Sequence, residues 1–303
     1  MDTTAAYRGR FAPSPTGPLH LGSLVAALAS WLDARAHDGK WLIRIEDIDP
    51  PREHRYAAQQ QIEVLGQLAM HSDEPIVYQS GRTAAYEIAL QQIRALGRAY
   101  YCRCSRGMRQ RSGLDPTAAY PGTCRDRGLS GPPGAVRFLV DRAPLGFEDR
   151  ACGRFEQDLA RSVGDFVIRR ADGLWAYQLA VVVDDAHQRI TDVVRGADLL
   201  DNTPRQIALQ RALDLPTPRY LHLPLVLDAA GRKLSKQTGA AAVQPGRALV
   251  ELEQAWRHLG FAPSRARTVG EFQRHAIDRW RERWCQRAAP GRVPVTLELP
   301  DAP

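Results

Sequence analysis

The sequence predicts an α/β fold in which a parallel sheet carries a small cysteine-rich insert and ends in a short helical segment. Strand-like and helix-like patterns alternate through the first half of the chain. A stretch rich in Cys, Arg, Gly and Pro, without periodicity, interrupts this alternation at residues 100–134, and strand-like runs resume after it. Alternating strands and helices favour parallel strands joined by right-handed crossovers, so we interpret the irregular stretch as an insert within one catalytic fold.

Residues 1–99 contain the βαβ opening. Residues 7–11 form a short aromatic and apolar run, a Pro/Gly-rich loop follows, and from Leu19 onward apolar residues recur at helical spacing. The string WLIRIED, at residues 41–47, alternates as a strand until it reaches a cluster of carboxylates. Two further helices are predicted, at residues 56–68 and 83–96.

Residues 135–239 are expected to complete the sheet. Strand-like runs are predicted at residues 135–140, 165–169, 179–183 (LAVVV) and 190–194, followed by a helix at 204–213 and an apolar strand at 221–227. The remaining segment, residues 240–303, is predicted to be helical before a loose Pro-rich tail. Gly260 is a candidate helix terminator, and Thr268 with Glu271 resembles a capping box that opens the last helix.

Composition describes a globular chain of 303 residues, of which 44% are hydrophobic and 25% charged. The sequence contains neither a run of about 18 uncharged apolar residues nor a secretory leader, so we expect a cytoplasmic monomer without membrane contact. A net charge of +7 is compatible with a polyanionic partner. Only Lys40, Lys233 and Lys236 are lysines among 41 basic residues. A pair of ammonium groups kept amid such an arginine bias suggests point charges on phosphate, although chance would also explain it.

The loop after the first predicted strand, PTGPLHLG at residues 15–22, has the features of a phosphate site. Gly17 and Gly22 allow close approach of the backbone, the helix N-terminus favours anions, and His20 can donate to a phosphoryl oxygen. The alternative is a Pro/Gly turn with an incidental surface histidine. A second loop, KLSKQ at residues 233–237, follows the apolar strand. Two loops at the carboxyl edge of one parallel sheet could clamp a triphosphate, with Lys233 and Lys236 neutralising its charge.

These two loops resemble the HIGH and KMSKS signatures of class I aminoacyl-tRNA synthetases. The longer strings RFAPSPTGPLHLG, RIEDID, VVDDAHQRITDVVRGADLLDNTPRQ and LPLVLDAAGRKLSKQ resemble the glutamyl branch of that family. The resemblance implies a Rossmann-type catalytic domain with a zinc-bearing insert. It also implies that Mg²⁺ accompanies ATP and that the glutamate α-carboxylate attacks the α-phosphorus, a reaction catalysed by positioning and charge stabilisation without an enzyme nucleophile.

Residue types alone are consistent with binding of an acidic amino acid. Arg10 and Arg195 are candidates to fork carboxylates, Glu46 can pair with an α-ammonium group, and Tyr177 can supply a hydroxyl. By resemblance, the glutamate-binding residues are Arg10, Phe11, Ala12, Pro13, Ser14, Glu46, Tyr177 and Arg195. By the same resemblance, ATP is bound by Gly17, His20, Gly22 and Lys236, and the catalytic residues are His20, Lys233 and Lys236. Four further carboxylates are expected mainly to cap helices or to pair with arginine: Asp47, Asp49, Asp184 and Asp185.

Three cysteines crowd into the insert, in the pattern Cys102-Arg-Cys104 followed by Cys124. Three thiolates form a partial zinc site, since zinc prefers four tetrahedral ligands, and a small insert benefits from such a staple. The residues leave the fourth ligand open between Tyr120, a nearby Asp, the distant Cys152 and water, and three buried reduced thiols are the alternative to a metal. Resemblance to the glutamyl-queuosine branch favours Tyr120.

Residues 240–303 leave no room for the anticodon-binding half of a bacterial glutamyl-tRNA synthetase. The architecture resembles instead the truncated glutamyl-Q tRNA(Asp) synthetases, which transfer activated glutamate to the queuosine base in the anticodon of tRNA(Asp). Arginines around the insert could hold RNA phosphates, or form an ordinary solvated face: Arg103, Arg106, Arg109, Arg111, Arg125 and Arg127. The other hypotheses are a truncated synthetase acylating the tRNA 3′ end, a non-catalytic tRNA-binding paralogue, and a nucleotidyltransferase acting on a small metabolite.

Overall fold

The computed structural model of the chain describes residues 6–105, 107–108, 115, 118–225 and 241–285. Its strands are β1 (Arg8–Phe11), β2 (Lys40–Ile45), β3 (Val77–Tyr78), β4 (Ala99–Cys102), β5 (Ala135–Phe138), β6 (Leu145–Asp149), β7 (Gly153–Gln157), β8 (Phe166–Arg169), β9 (Asp192–Gly196) and β10 (Arg219–Leu223). Its helices are α1 (Leu21–Ala36), α2 (Ala57–Gln67), α3 (Thr83–Ala95), α4 (Leu159–Ser162), α5 (Tyr177–His187), α6 (Thr203–Ala212), α7 (Ala248–His258) and α8 (Val269–Trp280).

Parallel strands form the centre of the fold, as the sequence predicts. β1 pairs with β2 and β2 with β3, while β10 pairs with both β9 and β6, all in parallel. The two groups meet edge to edge beside β1, where the backbone N–H of Thr191 donates to the carbonyl oxygen of Arg8 at 3.0 Å. The carboxyl ends of β1, β2, β9 and β10 therefore lie along one edge, which is where ligands bind in sheets of this kind.

The prediction of a strand at residues 179–183 is wrong, because these residues belong to α5. Leu179, Ala180, Val181 and Val182 are at most 2% exposed and Val183 is partly buried, so most of the run LAVVV is covered. A short run that is apolar at each position has no period to distinguish a buried helix from a buried strand, and its three valines favour strand by propensity alone. The hairpin of β6 and β7 was not predicted; the Asp149 carboxylate stabilises its turn by accepting the backbone N–H groups of Ala151 and Cys152, each at 2.9 Å.

The predicted insert begins and ends at neighbouring strands. β4 pairs antiparallel with β5, and β5 pairs antiparallel with β8, so the chain leaves and re-enters the fold at one place. The boundaries at residues 99/100 and 134/135 remain predictions. Gly164 lies where the insert crosses the strand β8, with φ +69°, and a Cβ atom there would approach the carbonyl oxygen of Tyr120 to 2.1 Å. Only glycine therefore permits this crossing.

The C-terminal helices pack against α1 and complete one of the two main hydrophobic clusters. Trp256, Phe272 and Trp280 are each 0% exposed. The predicted cap is confirmed at Thr268, whose Oγ1 accepts from Glu271 N at 3.2 Å. The return bond differs from a capping box, because the Glu271 carboxylate accepts from the backbone N–H of Arg267, one residue before the N-cap, at 2.8 Å. A hydrogen-bonded hub joins these helices to the sheet, because the buried Asp33 carboxylate accepts from Tyr7, Arg150 and Trp280. Within the described ranges, no helix is both long and apolar enough to cross a bilayer.

Candidate active site

A cavity of about 590 Å³ opens at the carboxyl edge of the parallel strands. Its wall contains seven of the eight residues proposed for glutamate: Arg10, Phe11, Ala12, Ser14, Glu46, Tyr177 and Arg195. The eighth residue, Pro13, lies behind the wall and accepts a hydrogen bond from Glu46 N through its carbonyl oxygen, at 3.0 Å. Residues up to 185 positions apart in sequence thus meet because β1, β2 and β9 end together and α5 begins beside them.

The loop after β1 is held from the far side of the cavity. Gln61, on α2, donates through Nε2 to the carbonyl oxygens of Gly17 at 2.7 Å and Ser14 at 3.2 Å. Gly17 has φ +128°, a backbone conformation that favours glycine. These bonds from Gln61 to the carbonyl groups fix the loop, and Ser14 and Thr16 of the loop line the cavity.

A buried network of charges forms the floor. Asp185 Oδ1 accepts from Arg10 Nε at 3.1 Å and from Arg44 Nη1 at 2.7 Å, and Arg44 Nη2 donates to Glu46 at 3.3 Å. Burial alone would raise the pKa of Asp185, but the charges of Arg10 and Arg44 outweigh it and lower that pKa. Burial raises the pKa of Glu46, against the opposing pull of Arg44 and Arg10. The network thus fixes the orientation of the Arg10 guanidinium group, while Glu46 supplies a buried acidic group in the wall.

Arg195 is anchored on the opposite wall. Its Nε donates to Nε2 of His222 at 3.1 Å and one terminal nitrogen, Nη2, donates to Thr203 Oγ1 at 2.8 Å. The other terminal nitrogen, Nη1, lies 3.4 Å from the hydroxyl oxygen of Tyr177. The buried charges of the cavity wall are therefore two guanidinium groups, Arg10 and Arg195, and one carboxyl group, Glu46, which is the pattern that an amino acid with two carboxylates requires. The other charged residues of the wall are more exposed: Asp49, Arg52, Glu53 and Arg170.

A second cavity, of about 230 Å³, adjoins the first and shares Ala26 and Gly196 with it. His20 and Gly22 line it at the start of α1. His20 is the N-cap of α1, with its Nδ1 accepting from Ser23 N at 3.2 Å. This bond leaves Nε2, which lies 3.0 Å from Ser23 Oγ, as the ring donor in the neutral imidazole. Sequence reasoning did not predict this capping bond.

The lysine loop lies outside the described residues, and so do both of its predicted catalytic residues, Lys233 and Lys236. The chain on either side of it reaches the His20 cavity. Leu225 lines that cavity before the loop, and after it Val243 N donates to the carbonyl oxygen of Leu19 at 2.9 Å. The described residues on either side of segment 226–240, Leu225 and Ala242, thus lie near His20.

Four carboxylates were expected mainly to cap helices or to pair with arginine, and each of them has a hydrogen-bond or ion-pair partner: Asp47, Asp49, Asp184 and Asp185. Asp184 is 0% exposed and accepts from Tyr86 at 2.6 Å and Gln79 at 2.8 Å, while Asp185 belongs to the floor network. Asp47 accepts from the backbone N–H and hydroxyl of Ser80 at 2.9 and 2.6 Å. Asp49 pairs with Arg52 and Arg170. These contacts agree with capping and pairing as the roles of all four.

The three cysteines of the insert form a cluster whose sulfur atoms all lie within 4.8 Å of one another. Cys104 Sγ and Cys124 Sγ are 3.5 Å apart, and Tyr120 Oη lies 3.2 Å from Cys102 Sγ and 3.6 Å from Cys104 Sγ. Sulfurs bound at about 2.3 Å to one tetrahedral zinc would lie roughly 3.8 Å apart, so the donor set fits a metal of this size. Cys152 lies elsewhere, beside the carbonyl oxygen of His222.

The pKa shifts within this cluster differ in direction, and only that of Cys124 favours binding of a cation. Burial opposes ionisation of Cys124, but a backbone hydrogen bond and the surrounding side chains outweigh it and lower its pKa to about 7. Burial raises the pKa of Cys104 and of Tyr120. Ligation by Cys104 and Tyr120 therefore requires the charge of a bound metal to displace their protons.

The arginines proposed to hold RNA are not equivalent. Arg125 forms two hydrogen bonds with the buried Asp165, at 2.6 and 2.8 Å, and so ties the insert to β8. This contact contradicts a role for Arg125 as a free phosphate ligand. Arg103 and Arg127 are exposed. The remaining three, Arg106, Arg109 and Arg111, lie outside the described residues.

Sequence reasoning missed the residues that support the wall from behind. Arg44 and His222 are both 0% exposed, and each lies between two apolar residues of its strand. A charged or imidazole side chain in such a strand is a signal in itself, because burying it requires a partner. The partners, Asp185 and Asp149, come from distant parts of the chain, and no local pattern identifies them.

The family model described as "tRNA synthetases class I (E and Q), catalytic domain" matches residues 6–251. A Burkholderia mallei protein named glutamyl-Q tRNA(Asp) synthetase is 56% identical over 289 residues, which cover 92% of this chain and 97% of that protein. A protein of the same name from Cupriavidus metallidurans is 55% identical over 289 residues, covering 91% of this chain and 92% of that protein.

Two solved structures share the fold. The glutamate-tRNA synthetase from Elizabethkingia anophelis superposes with a TM-score of 0.69 at 27% identity, covering 78% of this chain. A glutamate tRNA ligase from Elizabethkingia meningosepticum, in complex with its amino acid, gives the same TM-score at 29% identity. This chain spans 53% of each of those two proteins. With this match to most of the chain, the protein belongs to the class I tRNA synthetase family, in its glutamate and glutamine (E and Q) catalytic-domain branch.

Proposed function

We propose that the protein activates L-glutamate with ATP and transfers the glutamyl group to the queuosine base in the anticodon of tRNA(Asp). Relatives that carry this activity in their names are 54–56% identical to this chain over 92–93% of its length. The observation that carries the proposal is the cavity that brings Arg10, Glu46, Tyr177 and Arg195 together beside the His20 turn.

In the activation step, the α-carboxylate oxygen of glutamate forms a bond to the α-phosphorus of ATP and pyrophosphate leaves. Arg10 and Arg195 hold the two carboxylates, and Glu46 receives the α-ammonium group. His20, with Gly17 and Gly22 beside it, binds phosphate at the start of α1, and Lys233 and Lys236 stabilise the departing charge. Mg²⁺ accompanies ATP and is held chiefly by phosphate oxygens.

In the transfer step, a hydroxyl oxygen of the queuosine ring attacks the carbonyl carbon of glutamyl-adenylate, and AMP leaves. Arg103 and Arg127, exposed on the insert, are candidates to contact RNA phosphates. Zinc, bound by Cys102, Cys104, Cys124 and Tyr120, would staple the insert and supply no chemistry to the reaction. We further propose that the protein acts as a monomer in the cytoplasm.

A second candidate is acylation of the tRNA 3′ end, and the likeness to two glutamate-tRNA synthetase structures favours it. The deciding experiment incubates the protein with labelled glutamate, ATP and total tRNA, digests the tRNA to nucleosides and locates the label. Label on queuosine supports the proposal. Label on the terminal adenosine supports the second candidate, and tRNA from cells that lack queuosine is the control.

The phosphate clamp is tested separately. Lys236→Ala should slow glutamate-dependent exchange of pyrophosphate into ATP by about 100-fold, the scale of losing a charge contact to the transition state. Lys40→Ala is the matched control, because Lys40 is a half-exposed partner of Glu74 and lies outside both cavities. Equal exchange rates in the two variants would exclude Lys236 from the clamp.

A further inference from the structure

Three buried polar side chains, Arg195, His222 and Asp149, form a hydrogen-bonded chain that leads away from the cavity. Arg195 Nε donates to His222 Nε2 at 3.1 Å, and His222 Nδ1 lies 2.6 Å from Asp149 Oδ2. His222 is 0% exposed and Asp149 5% exposed. Both residues lie behind the cavity wall, on the paired strands β10 and β6. Neither residue lines the cavity, so any effect that they have on substrate binding must act through Arg195.

The partners determine the protonation of the ring. A guanidinium group only donates, so His222 Nε2 must accept, and an ionised carboxylate only accepts, so Nδ1 must carry the hydrogen. Burial lowers the pKa of His222, and the charge of Arg195 lowers it further against the opposing effect of Asp149. The ring is thus neutral, in the Nδ1–H tautomer. The other groups around it are Thr203 Oγ1 at 3.2 Å and the rings of Tyr220 and Phe147 at 6.0 and 6.2 Å.

Asp149 is itself fixed in orientation. Its Oδ1 accepts from the backbone N–H groups of Ala151 and Cys152 in the β6–β7 turn, each at 2.9 Å. Oδ2 contacts the His222 ring, and the backbone N–H of His222 donates to both oxygens, at 3.1 Å to Oδ2 and 3.3 Å to Oδ1. The carboxylate therefore cannot rotate away from the imidazole without breaking both turn bonds.

Arg195 uses its remaining donors in a definite way. Nη2 donates to Thr203 Oγ1 at 2.8 Å and lies 3.4 Å from the carbonyl oxygen of Leu199. Nη1 lies on the side of Tyr177, in the cavity wall. With Nε held by His222 and Nη2 by Thr203, the plane of the guanidinium group is fixed and Nη1 is presented to the cavity.

We propose that His222 is a positioning residue for Arg195, and that Asp149 acts by holding His222 in the Nδ1–H tautomer. This inference rests on the proposed function, in which Arg195 binds a carboxylate of glutamate. Its consequence is specific: a change that reverses the tautomer, without removing either side chain, should impair glutamate binding and spare ATP binding.

Asp149→Asn makes that change. Three backbone N–H groups reach the Oδ1 position, those of Ala151 and Cys152 at 2.9 Å and that of His222 at 3.3 Å, and together they retain the amide oxygen there. The amide nitrogen then faces His222 Nδ1 and donates to it, and the 3.1 Å bond from His222 N to the Oδ2 position is lost. The ring then carries its hydrogen on Nε2, directed at the N–H of Arg195. We expect the KM for glutamate in pyrophosphate exchange to rise about tenfold or more, the scale of one charge-assisted hydrogen bond, with the KM for ATP unchanged.

Three further variants complete the test. His222→Asn can still reach Asp149 but not Arg195, and should raise the glutamate KM as Asp149→Asn does. His222→Gln can place its amide oxygen near the position of Nε2 and should restore most of the lost affinity. Tyr220→Phe, which removes only a hydroxyl bonded to Gln210, is the matched control beside the ring. If Asp149→Asn does not fold, the comparison of the two His222 variants carries the same test.

Nitrogen NMR of the imidazole reads the tautomer directly, without activity. An Nδ1–H ring in the wild type and an Nε2–H ring in Asp149→Asn are expected. An Nε2–H ring in the wild type would overturn the inference, and so would a reversed tautomer with an unchanged glutamate KM, or equal rises in both KM values. Absence of exchange in the wild type would instead refute the proposed function, while the NMR result would still decide the tautomer.

Discussion

Replacing Asp185 with asparagine tests how the floor of the cavity is held. The side chains of Arg10, Arg44 and Asp185 are 4%, 0% and 9% exposed, so two cations share one buried anion. Arg44 would keep contacts with Gln188 at 2.9 Å and Glu46 at 3.3 Å. Arg10 would keep only a neutral acceptor where Asp185 now provides a charge. The variant has nearly the same volume, so its effect reports the charge.

The magnitude follows from the burial of this network. Removing one partner of a buried ion pair costs about 3–5 kcal/mol of unfolding free energy. Asparagine retains an acceptor, so we expect the lower end, about 3 kcal/mol. At roughly 2 °C per kcal/mol for a chain of this size, Tm should fall by about 6 °C. Because Arg10 also loses its orientation, the KM for glutamate should rise about tenfold while that for ATP stays constant.

The assay combines thermal unfolding, followed by circular dichroism, with glutamate-dependent pyrophosphate exchange. Asp184→Asn is the matched control, since Asp184 is an adjacent buried carboxylate on α5 that hydrogen-bonds Arg82, Tyr86 and Gln79 rather than Arg10. It should lower Tm by a similar amount and leave the glutamate KM unchanged. An Asp185→Asn variant with wild-type Tm, or one whose glutamate KM follows that of Asp184→Asn, would refute the reasoning.

Three shorter predictions concern the wall, the insert and the C-terminal hub. Arg195→Ala should raise the KM for glutamate about 100-fold through loss of a buried charged contact, and equal effects on ATP would contradict its role. Metal analysis should find about one zinc per chain, lost in Cys124→Ser together with thermal stability; purification under reducing conditions without zinc would mean that packing alone holds the insert. Asp33→Asn should cost about 3 kcal/mol, measured by urea unfolding, because Arg150 then keeps only the more distant carboxylate of Asp192, at 3.8 Å. Burial opposes ionisation of Asp33, but Arg150 lowers its pKa, so its stabilisation should be complete above about pH 4 and lost as the pH falls further, with a flat acid profile as the contrary result.

Local rules predicted those features in which neighbouring residues act on one another. The cap of Thr268 on the backbone N–H of Glu271 depends on a spacing of three residues, and the structure has it. Most strands and helices also follow from their period. The alternation of strand and helix predicted parallel pairing, which in turn predicts that the loops after β1, β2 and β9 meet at one edge, as they do around Arg10, Glu46 and Arg195.

Burial and long-range pairing lay beyond such rules. Residues 179–183 gave no period because four consecutive side chains, Leu179 to Val182, are buried, and the surroundings that cover them come from other segments. Arg44 has the nearer of its two anions, Asp185, 141 positions away, and His222 has its carboxylate 73 positions away. The amino-acid sequence by itself specifies which groups can bind an acidic amino acid. The packed fold determines which buried partners orient those groups. The reason is that a buried charge needs a partner, and that partner is provided only where distant segments come together.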